Sequence, residues 1–167
     1  MKLNSKVRLL ITCDSSAGAG KTTAAKYLSK RLGLSLLTSG LLYRYVAYKL
    51  MFSKRKVTEV SFLKKITKNI SSKHLKNHKL YSPEVTEFTS KIAKIKKVRM
   101  LLRNYQKRFA RKRLAVCEGR DQGLSFKNAD VKFFFKCSLK IAAKRRFKEF
   151  RKIDKEITLK EVESAIK

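Results

Sequence analysis

Asp14 to Thr23 read Asp-Ser-Ser-Ala-Gly-Ala-Gly-Lys-Thr-Thr, after the apolar run Arg8–Cys13 and before a helical pattern. Strand, glycine-bearing loop, lysine with hydroxyls, then helix is an order of parts that holds a nucleoside triphosphate by its phosphates. Gly18 and Gly20 let backbone N–H groups turn inward around an anion, where a side chain would block its approach. Lys21 is placed to reach the β/γ-phosphates and Thr22 or Thr23 to ligate Mg²⁺, while the helix N-terminus adds a favourable dipole. The candidate cradle is therefore Ser16, Ala17, Gly18, Ala19, Gly20, Lys21, Thr22 and Thr23. The full consensus has glycine where Ser15 stands, a single departure.

Positioning this loop requires a sheet. Arg8–Cys13 reads as a buried strand, and Lys21–Leu32 as a helix with Ala24, Ala25, Leu28 and Leu32 on one face and Gly33 as its stop. Leu34–Thr38 predicts a second strand, Ser39 to about Phe52 an amphipathic helix, and Val57–Ile70 a further one. Ser71–Tyr81 is polar and lysine-rich and leaves its structure open. Ser82-Pro83-Glu84 is a helix start, with an N-cap, a proline at the first position and an acid for the dipole. That helix runs to about Lys112 with a break near Ile95. Leu114–Glu118 and Val131–Cys137 predict two more strands, with Phe133–Phe135 read as buried strand. Ser138 opens a helix to about Lys152, and Thr158 with Glu161 forms a capping box for a last one. Strands alternating with helices predict an α/β fold, a parallel sheet with helices on both faces.

A chain of 167 residues fits one domain. Its 43 Lys+Arg against 12 Asp+Glu give a formal charge of +31, an attraction for anions of any kind. The lysines are spread along the chain without a long run, so nucleic acid is expected to bind only by non-specific charge. Cys13, Cys117 and Cys137 are odd in number and lack metal-type spacing, which predicts buried thiols in a reducing cytoplasm and excludes a disulfide framework. Val7 to Cys13 carries Arg8 and stops at Asp14, too short and too charged for a signal peptide, and no stretch reaches the ~18–20 apolar residues of a membrane span. His74 and His78 are four apart but have no carboxylate or cysteine beside them, so a metal site there is not expected. Tyr43, Tyr45 and Tyr48 follow an amphipathic helix and read as packing.

In a parallel sheet chemistry gathers at the carboxyl ends of the strands. Those ends are Asp14, Thr38-Ser39-Gly40, Glu118-Gly119-Arg120-Asp121 and the region after Cys137, with Arg44 about one helical turn beyond Ser39. Arginines near a triphosphate loop suit a phosphorylated second substrate, which guanidinium binds bidentately. Four separated stretches carry a resemblance: the loop, Leu34–Arg44, Ser82–Gln106 with Ser90, Val98-Arg99 and Gln106 in register, and Glu118–Gly123 followed by Asp130–Phe134. In this order the chain resembles the cytidylate kinase family of P-loop nucleoside monophosphate kinases, over most of Val7 to Phe150.

The resemblance implies a P-loop NTPase-type sheet in a single domain over 1–167, with a small nucleotide-binding insert at about 53–88 and a lid region at 145–167. It implies transfer of the ATP γ-phosphate to CMP or dCMP with Mg²⁺, in a monomeric cytoplasmic enzyme with no membrane partner. Lys21, Arg44 and Arg120 take the catalytic positions. Ser39, Arg44, Ser90, Arg99, Arg120 and Asp121 fall where the family binds CMP, the last group including its cytosine readers. Glu118 falls where a metal-bound water is held, and Arg145, Arg146 and Arg151 where the mobile lid begins.

Several positions depart from the family. Ser15 and Ser16 replace a glycine and a proline, Thr38 replaces an aspartate, and Tyr81 stands where relatives often have arginine. The family also continues past the position of Lys167 with an Arg-Asp-x-x-Asp-x-x-Arg segment and another strand. The expectation is therefore a sheet of four strands and weakened or absent activity. Two alternatives stand beside this reading: a non-catalytic, truncated relic acting as a basic nucleic-acid-binding or regulatory module, and another small-molecule P-loop kinase.

Overall fold

A computed structural model describes residues 7–16, 18–151 and 155–166. Among these, four strands form one sheet in the order β2-β3-β1-β4. Strand β1 (Leu9–Ser15) pairs in parallel with β3 (Leu114–Gly119), from Leu9 opposite Leu114 to Asp14 opposite Gly119. On its other side β1 pairs in parallel with β4 (Val131–Phe135), from Ile11 opposite Val131 to Ser15 opposite Phe135. Strand β2 is Ser35–Thr38. The chain divides into two compact units, one of residues 1–36 and 113–167, the other of residues 37–112.

The first unit is built around β1. Its burial is continuous from Leu10 to Ser15, as expected of a strand paired on both sides. Helix α1 (Lys21–Leu32) packs on β1 and β3, and Ile11, Cys13, Ala25, Leu34 and Val116 form a core with Leu28, Leu32 and Phe135 against it. Gly33 ends α1 in the left-handed region at φ 68°, and its N–H donates to the Ser29 carbonyl. Asp130 fixes where β4 begins, because its carboxylate accepts from Leu10 N–H at 2.7 Å while its own N–H donates to the Leu10 carbonyl at 2.9 Å. Helix α8 (Leu139–Phe150) starts at a Ser138 cap and packs on α9 (Leu159–Ile166). The Thr158–Glu161 capping box is present, Glu161 accepting from both Thr158 N–H and its hydroxyl at 2.8 Å.

The second unit is helical. Helix α2 (Ser39–Phe52) buries Leu42, Tyr45, Val46 and Leu50 and packs on α5 (Pro83–Ile92). The pattern over 57–70 yields a shorter helix α3 (Val60–Lys68), because Glu59 binds Lys56 N–H at 2.8 Å and holds 56–59 as a turn. The open stretch 71–81 contains α4 (Ser72–Leu75) and a 3₁₀ turn at His78–Tyr81. Ser82 caps α5 as its sequence predicts, and Ile95 separates it from α6 (Lys96–Ala110).

Three expectations change. Phe133 and Phe134 are not buried but 41% and 64% exposed, because β4 is the edge strand among the described residues. Cys13 and Cys117 are buried free thiols, whereas Cys137 is only half-buried. The short helix α7 (Gln122–Ser125) after β3 has no counterpart in the sequence reading. No described helix is long and apolar enough to cross a membrane.

Candidate functional site

In the first unit, β1 ends in the loop and α1 begins directly after it. Gly18 at φ 75° and Gly20 at φ 91° are both in the left-handed region that favours glycine. A Cβ on Gly18 would stand 3.0 Å from the Ala142 carbonyl oxygen of α8, so this position is closed to side chains on both counts. Ala19 is buried, and Ser16 is exposed with its carbonyl 3.4 Å from Lys21 Nζ. Ala17, expected in the cradle, lies outside the described residues. The first turn of α1 carries no acid, which leaves its N-terminal partial charge to an incoming anion.

Two contacts close on this loop from elsewhere in the same unit. Thr22 Oγ1 donates to Glu118 Oε2 at 3.1 Å, and Glu118 is 2% exposed. Thr23 is exposed, so it is Thr22 that faces the carboxylate. Arg145 Nη1 donates to the Gly18 carbonyl at 3.2 Å, which lays a guanidinium along the loop. The Lys21 ammonium is held below its ordinary 10.5, first by burial and then by the nearby Arg120 and Arg146 charges, against Glu118 and Asp14 which favour its charged form. A concentration of cations beside two buried acids is what a polyanion would complete.

Asp14 does what the sequence reading missed. Its Oδ1 accepts from Gln122 N–H at 2.8 Å and its Oδ2 from Gly123 N–H at 2.6 Å. Helix α7 has no cap from its own N-cap residue, Asp121, so the cap comes from a carboxylate 108 residues earlier in the chain. One buried side chain therefore joins the strand that carries the loop to the turn that carries Arg120 and Asp121. The signal was present, since Asp14 sits at a strand's carboxyl end, but its partners could not be read from spacing.

The other candidates are placed less tightly. Arg146 stacks over Phe150 at 5.8 Å. Arg151 stacks over Phe147 at 5.5 Å and lines an open groove of about 820 Å³ with Lys144, Lys148, Lys155 and Leu159. Asp121 is half-buried, its Oδ1 accepting from Gln122 Nε2 at 3.2 Å.

In the second unit Ser39 is buried at the start of α2, and Arg44 follows one turn later. Arg44 Nη1 donates to the Leu80 carbonyl at 2.8 Å, and its guanidinium carbon lies 5.2 Å from the centre of the Tyr81 ring. Ser90 is exposed on α5 with its hydroxyl 3.4 Å from the Thr86 carbonyl, and Arg99 is exposed on α6. His74 is used structurally: Nδ1 accepts from Ser71 N–H at 3.3 Å and the ring stacks on Tyr45 at 5.2 Å. Among the described residues no group of His, Cys, Asp and Glu is arranged to hold a metal on its own.

The cytidylate kinase family model matches residues 11–167. A cytidylate kinase of Clostridioides difficile is 33% identical over 165 residues, covering 92% of this chain and 76% of the relative. One from Acidiphilium cryptum is 37% identical over 142 residues, with 84% and 67% covered. Another, from Thermosipho melanesiensis, is 36% identical over 169 residues, with 93% and 76% covered.

Proposed function

The chain belongs to the cytidylate kinase family of nucleoside monophosphate kinases, and on that premise we propose that it transfers the γ-phosphate of ATP to CMP or dCMP, giving CDP or dCDP. The observation that carries this reading is the cluster at the loop: Lys21 and Arg145 beside Gly18–Gly20, with Thr22 bonded to Glu118.

In this reading the amides of Gly18, Ala19 and Gly20 cradle the triphosphate and Lys21 neutralises its β/γ end. The Thr22 hydroxyl and the Glu118 carboxylate are oxygen donors, the kind a small hard cation takes, so they fit Mg²⁺ held by Thr22 directly and by Glu118 through water. When bound, that ion supplies charge neutralisation on the β- and γ-oxygens. Arg44 and Arg120 hold the acceptor's phosphate, and Arg145 and Arg146 offset charge as the phosphates meet. Transfer is in line, with little covalent work for the protein, so rate comes from positioning and electrostatics. Ser39, Ser90, Arg99 and Asp121 bind the acceptor nucleotide, with the stretch at about 53–88 as its insert. We assign the enzyme to the cytoplasm as a monomer.

Base choice follows from hydrogen-bond chemistry. Cytosine offers an amino donor at N4 to Asp121, where uracil would present an oxygen to a carboxylate. One unpaired polar contact of this kind costs about 1–3 kcal/mol, roughly ten- to a hundredfold against UMP.

The test is ADP release from ATP and Mg²⁺ by the 167-residue chain with CMP, dCMP, UMP or AMP as acceptor. CMP- or dCMP-dependent release that is lost in Lys21→Ala is the expected result. Equal efficiency with UMP would overturn the base reading, and no release with any acceptor by a folded, ATP-binding protein would overturn the activity.

A further inference from the structure

Cations that lie scattered in the sequence are gathered by helix α6 onto one face. Between Glu87 and Glu118 the chain carries eleven Lys and Arg and no acid. On α6, Lys96, Arg103, Lys107 and the C-cap Arg111 follow at steps of seven, four and four residues, which return to one side of a helix. All four are exposed. The opposite side is committed to the interior of its unit, where Val98, Leu102 and Ala110 are buried and α6 packs on α3 and α2. At about 1.5 Å per residue the row runs about 22 Å from Lys96 to Arg111, its last two steps about 6 Å each.

Helix stability does not account for this row. The dipole favours cations in the last turn of a helix and disfavours them in the first. Lys96 and Lys97 stand in the first turn of α6, which carries no acid, whereas α5 and α9 have Glu84 and Glu161 there. Lys107 and Arg111 are like charges four residues apart, a spacing at which they destabilise a helix. An anion lying along the row reverses the sign of both effects. Beside it, Arg108 lies over the Tyr105 ring at 5.8 Å and Lys112 over the Phe109 ring at 4.5 Å, so two further charges are held close to the helix.

We propose that this face of α6 is a docking surface for single-stranded nucleic acid, held by its phosphates. A single file of cations matches a single file of phosphates, where a duplex presents two files across a groove. Tyr105 and Phe109 are half-buried and already face cations, so the helix offers no ring to stack a base, and binding is independent of base sequence. A lipid surface fits less well, because a membrane-lying helix inserts an apolar face. That face of α6 is spent on α2 and α3, which leaves Met100 as its one large exposed apolar side chain. Lys96, Lys107 and Arg111 are not among the residues assigned to ATP or CMP, so this surface stands or falls apart from the kinase reading.

The experiment titrates the full chain with a fluorescein-labelled oligothymidylate of about 20 nucleotides over a range of salt concentrations. Wild type is compared with Lys96→Gln/Lys107→Gln/Arg111→Gln and with an equal-charge control at exposed lysines elsewhere, Lys26→Gln/Lys30→Gln/Lys136→Gln. Each phosphate contact contributes about 0.7 to the slope of log affinity against log salt, so the α6 variant should be shallower by about 2. Its affinity at about 0.1 M salt should fall roughly a hundredfold, the two decades that three contacts span between about 0.1 and 1 M. The control should keep the wild-type slope. Glutamine is a good helix former and relieves the repulsion, so the α6 variant should match or exceed the wild-type thermal midpoint. If the midpoint falls instead, Lys107→Gln alone carries the test, with a slope shallower by about 0.7. Equal weakening by the two triple variants, an unchanged slope, or a wild type that does not bind the oligonucleotide at about 0.1 M salt overturns the surface. Stronger competition at equal charge by polyglutamate or by phosphatidylserine vesicles also overturns it, and assigns the row to an acidic protein or a lipid surface.

Discussion

Replacing Asp14 by asparagine changes one atom and should cost the protein both stability and acceptor handling. Asp14 is 6% exposed, and its two oxygens accept from Gln122 N–H at 2.8 Å and Gly123 N–H at 2.6 Å. An asparagine of the same shape keeps one acceptor and turns an NH₂ group toward the other N–H, donor against donor. One bond to a charged acceptor is lost, the surviving bond becomes neutral, and a buried N–H is left unmade. Together these cost about 3 kcal/mol. For a chain of this length that is a fall of roughly 6–12 °C in the thermal midpoint. The turn that relaxes carries Arg120 and Asp121, proposed above to bind the acceptor, and on that proposal kcat/KM for CMP should fall about tenfold or more, beyond any change in KM for ATP. Differential scanning fluorimetry and steady-state kinetics on purified Asp14→Asn read both effects. A midpoint within about 1 °C of wild type, with CMP kinetics unchanged, would refute the claim that this carboxylate holds the turn.

Two further perturbations follow from charge and burial. Lys21 titrates below its ordinary 10.5, foremost through burial, so its charged form costs the ligand-free fold some stability at neutral pH, a cost removed as pH rises through its depressed value. Lys21→Met should therefore raise the midpoint of the ligand-free protein at pH 7, by a margin that narrows toward pH 10, while ATP binding is lost; a destabilised variant at pH 7 would contradict this. Burial pushes the Cys13 thiol up to about 11 and the Cys117 thiol up to about 12, which leaves about 0.1% and 0.01% thiolate at pH 8. Ellman's reagent should accordingly find one fast thiol, Cys137, in the native protein and three in denaturant; rapid labelling of Cys117 would show that β3 is not closed as described.

What the sequence made legible was local. Gly33, Ser82-Pro83 and the Thr158–Glu161 box punctuate helices by interactions within a few residues, and each ends or starts its helix where its chemistry says. The strand, glycine loop and helix proposed to cradle phosphates are likewise one continuous segment. What stayed hidden depends on partners far away in the chain. Asp14 caps a helix 108 residues later, and Thr22 meets a carboxylate 96 residues away, which no spacing rule encodes. An apolar run such as Val131–Phe135 cannot say whether it takes a central or an edge place in its sheet, and the edge place is what exposes Phe134. The Arg44–Tyr81 pairing spans a stretch whose polar, lysine-rich pattern gave no period to follow.

The placing of β1 in the middle of the sheet governs the order in which the molecule can be made. Leu9 pairs with Leu114 and Ile11 with Val131, so β1, once it leaves the ribosome, has neither of these sheet partners for more than a hundred residues. At about 5–20 residues per second that delay is on the order of 5–20 s. Residues 37–112, by contrast, are one uninterrupted stretch and can complete their own helical core while the first strand still waits. Holding unpaired apolar strand open for seconds is a hazard that a nascent-chain chaperone would relieve. The strand that carries the loop is thus made long before it can gain its sheet partners, and the Thr22–Glu118 contact beside that loop forms only once β3 has arrived.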